Sequence, residues 1–174
     1  MDNAAVPDAA TIRRFYPDWE QYNQRIVDVV RDMTADQLAL RPDPERWPIW
    51  ATVGHNAGAR VYWLCTVFGE PGADTTPFSD AASGIGWEDD LDHPRDAAEL
   101  VLAMDSTWQI VASVLDRWTP ASLSESVVRD SSGRKSVHTR ASVLNRLFTH
   151  DAYHAGELSQ TLGIHNLPQI DLWA

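Results

Sequence analysis

The chain has 174 residues, 44% hydrophobic and 22% charged, a composition that suits one folded domain with a real core. A net charge of −11 and a pI near 4.8 argue against a nucleic-acid partner, and the lack of any basic run argues against binding to an anionic membrane. The single cysteine, Cys65, excludes an internal disulfide. The opening Met1-Asp2-Asn3-Ala4 has no basic segment followed by an apolar one, and no apolar run approaches the ~18 residues of a membrane span. The expectation is a cytoplasmic protein with a small-molecule substrate.

Residues 1–10 are small and polar and read as a loose end. From Thr11 to Met33 the pattern is helical, with Tyr22, Ile26, Val29 and Met33 on one stripe. Thr34 to Arg46 contains Pro42 and Pro44 and reads as a connector. A second helix is predicted from Trp47-Pro48 to Gly69, with Pro71 just beyond. Val53, Ala57, Val61, Leu64 and Phe68 form its main stripe, and Trp50, Ala51, Tyr62 and Trp63 make the other faces apolar. Such a helix is buried among neighbours. His55 lies within it.

Residues 70–93 are rich in Gly, Pro and Asp and show no period. A connection this long is uncommon and often functional. It reads either as a solvated linker or as a cover for a pocket, with Phe78 or Trp87 pointing inward. The third helix is predicted from Pro94 to Trp118. Its Val101, Met104, Trp108, Val111, Leu115 and Trp118 recur at steps of three and four, which fits antiparallel bundle packing. A short β-hairpin is predicted around Asp130-Ser131-Ser132-Gly133. The fourth helix is predicted from Arg140 to Leu162, ending at Gly163. Its inward face holds Val143, Leu147, His150, His154, Leu158 and Thr161. The tail, with Leu167, Ile170, Leu172 and Trp173, is expected to pack back on the bundle. The fold class is therefore all-α: a four-helix bundle with long connections, in one domain over residues 1–174. Trp118 and Trp173, if exposed, would suit a homodimer.

The chemistry lies in Phe148-Thr149-His150-Asp151-Ala152-Tyr153-His154-Ala155-Gly156-Glu157. Residues four apart on a helix lie one above the other, so His150 and His154 can hold one divalent metal from consecutive turns. A third ligand has to come from elsewhere, and His55 is the best candidate. The plainer alternative is three core histidines bonded to carbonyls or carboxylates, since an unpaired buried polar group costs roughly 1–3 kcal/mol. Imidazole ligands suit zinc, nickel, cobalt or iron, and three of them leave a position open for chemistry. A metal there would turn bound water or thiol into a nucleophile at neutral pH.

His150-Asp151-Ala152-Tyr153-His154 is one methylene away from the zincin pattern H-E-x-x-H. Residue 160, where a third ligand of one zincin class would stand, is Gln, so a protease is not expected. Asp151 remains a candidate base or ring-orienting group, and Glu157 a further ligand, a partner to a ligand or a plain surface residue. His93, His138 and His165 read as solvent-exposed. Cys65 reads as a small apolar residue away from the His55 face.

Taken together these residues resemble the DinB-like family of metal-binding four-helix proteins, whose members include mycothiol-dependent maleylpyruvate isomerase and bacterial thiol S-transferases. The resemblance is carried by Arg46-Trp47-Pro48-Ile49, by His55, by the run from His150 to Glu157, and by the spacing between them. It implies a four-helix bundle with His55, His150 and His154 on a divalent metal, zinc or nickel above all. It also implies a low-molecular-weight thiol as cosubstrate, in a metal-dependent thiol S-transferase or isomerase. Trp47, Trp50 and Tyr62 are the candidate aromatic lining of the cofactor pocket. Two other uses stay open: a non-enzymatic metal- or ligand-binding module, and a metal-dependent hydrolase with Asp151 or Glu157 as base.

Overall fold

A computed structural model of the chain describes residues 10–131 and 133–171. Four long helices make a bundle: α1 (Trp19–Val30), α3 (Ile49–Val61), α4 (Ala97–Arg117) and α5 (Arg140–Ile164). The short α2 (Ala35–Leu38) lies between the first two. An antiparallel hairpin of β1 (Ser126–Ser131) and β2 (Arg134–Thr139) leads into α5. The main helix contacts run α1 to α4, α4 to α3, α3 to α5 and α5 to α1, so neighbours in the ring are not simply neighbours in sequence. The fold is the expected all-α bundle with a hairpin before the last helix.

The first helix is shorter than its periodicity suggests. Pro17 disfavours a helical residue before it, and Tyr16 sits at φ −132°, ψ 51°. A 3-10 turn, Ile12–Phe15, therefore precedes α1 instead of continuing into it. The buried face is Trp19, Asn23, Ile26, Val27 and Val30, whereas Tyr22, Val29 and Met33 lie half-buried at its flanks. The face is rotated because Asn23 is buried, accepting a hydrogen bond from Arg60 at 2.7 Å.

Pro48 is extended and caps α3 rather than opening it. The helix widens into a π-helical stretch over Tyr62–Val67 and stops at Gly69, whose φ of 73° suits glycine. Asp96 caps α4 in a reciprocal pair with Glu99. Leu100, Met104, Trp108, Val111 and Leu115 are buried, as the spacing predicts. By length and composition alone α4 could cross a bilayer, contrary to the expectation that no segment reaches that standard. Half of its most apolar stretch is buried in the bundle, which accounts for the apolarity. A Thr139–Ser142 capping pair starts α5, which runs past Gly163 to Ile164 and ends near Asn166 at φ 57°.

Residues 70–93 are not a bare linker. They form three 3-10 turns and lie across α3. Phe78 is buried, and its ring centroid is 4.8 Å from that of Trp87. Gly54 and Gly58 make the seat: a Cβ on Gly54 would stand 2.7 Å from the Trp87 ring, and one on Gly58 would stand 3.3 Å from Phe78. Both aromatic residues thus point inward because α3 presents two residues without side chains there.

Trp118 is buried at 2% exposure, with its Nε1–H donating to Glu70 at 2.9 Å. It offers no surface to a second copy, which corrects its reading as an exposed dimer residue. Leu167 and Ile170 pack on the core as expected. Residues 1–9, Leu172 and Trp173 lie outside the described residues.

One charged group sits in the core. Arg60 of α3 has no exposed surface. It donates to Asp151 Oδ2 of α5 at 2.8 Å and to Asn23 Oδ1 of α1 at 2.7 Å. Trp19 Nε1 donates to the same Asp151 oxygen at 2.7 Å. Burying an ion pair is costly unless its polar atoms are well matched. Arg60 Nε and Asp151 Oδ1 have no partner among the described residues, and the bonds that are made tie three helices together and set the rotation of α5 one residue from His150.

Candidate metal centre

With Asp151 turned into the core, the i,i+4 geometry of α5 turns His150 and His154 toward α3, where His55 faces them. His150 Nε2 is 3.0 Å from His55 Nε2 and 3.1 Å from His154 Nε2. A ligand atom from each of the three lies within 4.8 Å of the others. His154 is 8% exposed, and His55 and His150 are half-buried.

The far nitrogen of each ring has its own partner. His55 Nδ1–H donates to Glu88, His150 Nδ1–H to Asn56 Oδ1 at 3.1 Å, and His154 Nδ1–H to Glu157 Oε2 at 2.8 Å. With each proton on Nδ1, all three Nε2 atoms present lone pairs to one point. Burial drives the His150 pKa down to about 3, helped by His154, His55, Arg60 and Arg146. Burial also lowers that of His154, against the opposing pull of Glu157. Neutral imidazoles with converging lone pairs repel one another, and a cation between them relieves the repulsion. The donor set therefore fits a divalent metal, and oxygen acceptors on the outer nitrogens are the usual supports of such ligands.

Two cavities meet at the triad. One, of about 560 Å³, is lined by Arg46, Trp47, His55, Tyr153, His154 and Glu157 among others. The other, of about 600 Å³, lies toward the hairpin and includes His55, Tyr62, Trp63, Arg129, Arg146 and His150. Among the described residues, His55 alone is shared by the two linings.

The expected site residues separate accordingly. Trp47 packs on His55, with ring centroids 4.9 Å apart, and lines the first cavity. Tyr62 lines the second. Trp50, 2% exposed, is a core residue that borders neither cavity, because the helix turns it into the bundle. Glu157 stands beside His154 at the first cavity. Asp151 is held by Arg60 and Trp19, and no hydrogen bond joins it to a histidine of the triad among the described residues. Glu88 and Asn56 have no forerunner in the sequence reading, nor has Arg60. His93 is exposed as expected. His138 packs on Trp63, and His165 is bonded to the carbonyl of Arg41 at 2.8 Å, so both are half-buried.

A helical bundle with a three-histidine centre able to hold a metal ion is the class of protein this arrangement defines. Residues 18–158 match the family model of the DinB superfamily, and the chain belongs to that family. Its structure is similar to that of a DinB-like protein from Bacillus cereus ATCC 10987, at a TM-score of 0.66 and 16% identity, covering 95% of this chain and 100% of that one. At that identity the likeness concerns the fold alone. No curated protein matches the chain.

Proposed function

We propose that this protein is a metal-dependent thiol S-transferase or isomerase acting on a small electrophile. The observation that carries the reading is that the converging Nε2 atoms lie where two sizeable cavities meet, one on each side of His55. One ligand-sized space would serve a binding module. Two, sharing His55, suit a reaction between a thiol and a second molecule.

A divalent cation of the zinc or nickel kind, when bound, supplies the Lewis acidity that keeps a thiol as thiolate at neutral pH. His55, His150 and His154 would hold it through Nε2. Glu88, Asn56 and Glu157 keep the rings in the tautomer that leaves those nitrogens free. Trp47 and Tyr62 supply flat aromatic walls, one to each cavity. Glu157, 38% exposed and next to the first cavity, is placed to take a proton from an incoming group. Hydrolysis with Asp151 as base is less well supported, because Asp151 is buried and lines neither cavity.

The test is metal content by mass spectrometry for wild type beside His154→Ala, followed by thiol consumption across a panel of electrophiles. The expected result is about one equivalent of metal in wild type, lost in the variant, with turnover only by loaded protein. Absence of any rate enhancement by loaded protein across the panels would overturn the reading.

A further inference from the structure

The hairpin-side cavity has a feature that the metal centre does not explain. Arg129 of β1 and Arg146 of α5 both line it, together with His150. Both guanidinium groups lie over the same indole: Arg146 is 4.6 Å and Arg129 5.7 Å from the Trp63 ring centre. Arg129 also donates from Nε to the Tyr62 hydroxyl oxygen at 2.6 Å.

Neither arginine forms an ion pair among the described residues. By contrast Arg13, Arg60, Arg95, Arg117 and Arg140 each face a carboxylate. Carboxylates are plentiful in this chain, with 25 Asp and Glu against 14 Lys and Arg. Arg14, Arg41 and Arg46 also form no ion pair among the described residues, so what sets Arg129 and Arg146 apart is that both lie on one aromatic face beside one cavity. The cavity's own carboxylates come from the 70–93 connection. Glu88 is engaged by His55, Asp90 by His93, and Asp80 is solvent-exposed. The positive field is felt at His138, whose pKa is lowered by burial first, then by Arg146 and Arg129.

Guanidinium groups match the planar geometry of a carboxylate, and stacking on Trp63 leaves the terminal nitrogens of both arginines able to donate, Arg129 Nε being taken by Tyr62. Tyr62, Trp63, Phe78 and Trp87 give the same cavity apolar walls for a flat body. We propose that this cavity binds a small carboxylate-bearing molecule, with its carboxylate at Arg129 and Arg146, its body along the aromatic wall and its other end toward His150. The proposal deepens the thiol reading and rests on it for what reacts next. The carboxylate belongs either to the thiol or to the electrophile.

The test is direct binding to zinc-loaded protein, followed by tryptophan fluorescence and calorimetry. Benzoate and its neutral counterpart benzamide are titrated into wild type and into the Arg129→Gln/Arg146→Gln variant, whose metal content is checked by mass spectrometry. The expected result is at least about a tenfold preference for benzoate in wild type, lost in the variant with metal retained. Equal affinity for the two probes in wild type, or unchanged benzoate affinity in the variant, would overturn the proposal. Cobalt-substituted protein then identifies the source through its sulfur-to-cobalt absorption. A band from 2-mercaptobenzoate that weakens in the variant assigns the carboxylate to the thiol. Benzoate binding undiminished beside a band from 2-mercaptoethanol assigns it to the electrophile. Either supports the proposal. No band with any thiol would sink the thiol reading while leaving the carboxylate site standing, so the two fail separately.

Discussion

Glu88, carried on the long connection between α3 and α4, accepts a hydrogen bond from His55 Nδ1–H. Its side chain is 12% exposed, so the contact is shielded from solvent. A segment without periodicity thus orients a ligand on a regular helix. Glu88→Ala should leave the bundle folded by circular dichroism and weaken zinc binding about 10–100-fold. Competition with a chelator measures the change. Unaltered affinity would mean that His55 is held by helix packing alone.

The seat beneath Trp87 makes a second prediction. Helix propensity alone favours alanine over glycine at position 54 by roughly 1 kcal/mol. The added Cβ would nevertheless meet the Trp87 ring at 2.7 Å, with Glu88 next in the chain. Gly54→Ala should therefore speed proteolytic cutting within residues 70–93 and weaken metal binding together. A stabilised variant cut at the wild-type rate would show that Trp87 gives way without cost.

The core ion pair predicts a large loss of stability from a small change. Asp151→Asn leaves the fully buried Arg60 charge without its counterion. The expected cost is about 3–5 kcal/mol in urea denaturation. Arg60→Met combined with Asp151→Leu should recover most of it, since a well-packed apolar pair often replaces a buried ion pair at little cost. A loss under 1 kcal/mol for Asp151→Asn, on the order seen for exposed pairs, would argue against this burial.

Cys65 bears on the source of the reactive sulfur. Burial is the main cause that drives its thiol pKa up to about 11, with Glu70 and Asp74 adding to it and a backbone hydrogen bond opposing. The nucleophilic thiolate therefore grows in only as pH approaches 11. Alkylation by iodoacetamide should be slow near neutrality and rise through that range. Cys65→Ser should leave metal content and thiol turnover unchanged. Fast alkylation at pH 7 would put a reactive thiol in the chain itself.

How far the sequence led can be read from particular residues. The alternation along α4 marked Met104, Trp108 and Leu115 as core, and all three are buried. His150 and His154 stood out because a helix repeats every fourth place. His55 stood out because it is polar in a helix apolar on nearly every side. Glu88 could not be found in this way, since a connection without period carries no sign of which residue turns inward. Arg60 was hidden for another reason. A lone charge in a helix reads as surface, and its partners Asn23 and Asp151 are 37 and 91 residues away. Trp50 and Trp118 show the reverse limit: aromatic character alone does not separate a pocket wall from a core.

The centre also bears on how the molecule comes together and falls apart. His55 and His150 are 95 residues apart along the chain, and they meet only once α3 and α5 have docked. Closing so long a loop costs entropy before the contact rewards it, so we expect this contact to form after the folding transition state. A cation gripped by both helices would thus leave the refolding rate nearly unchanged and act almost wholly by slowing unfolding. Loaded protein should outlast the metal-free form by persistence rather than by speed of assembly.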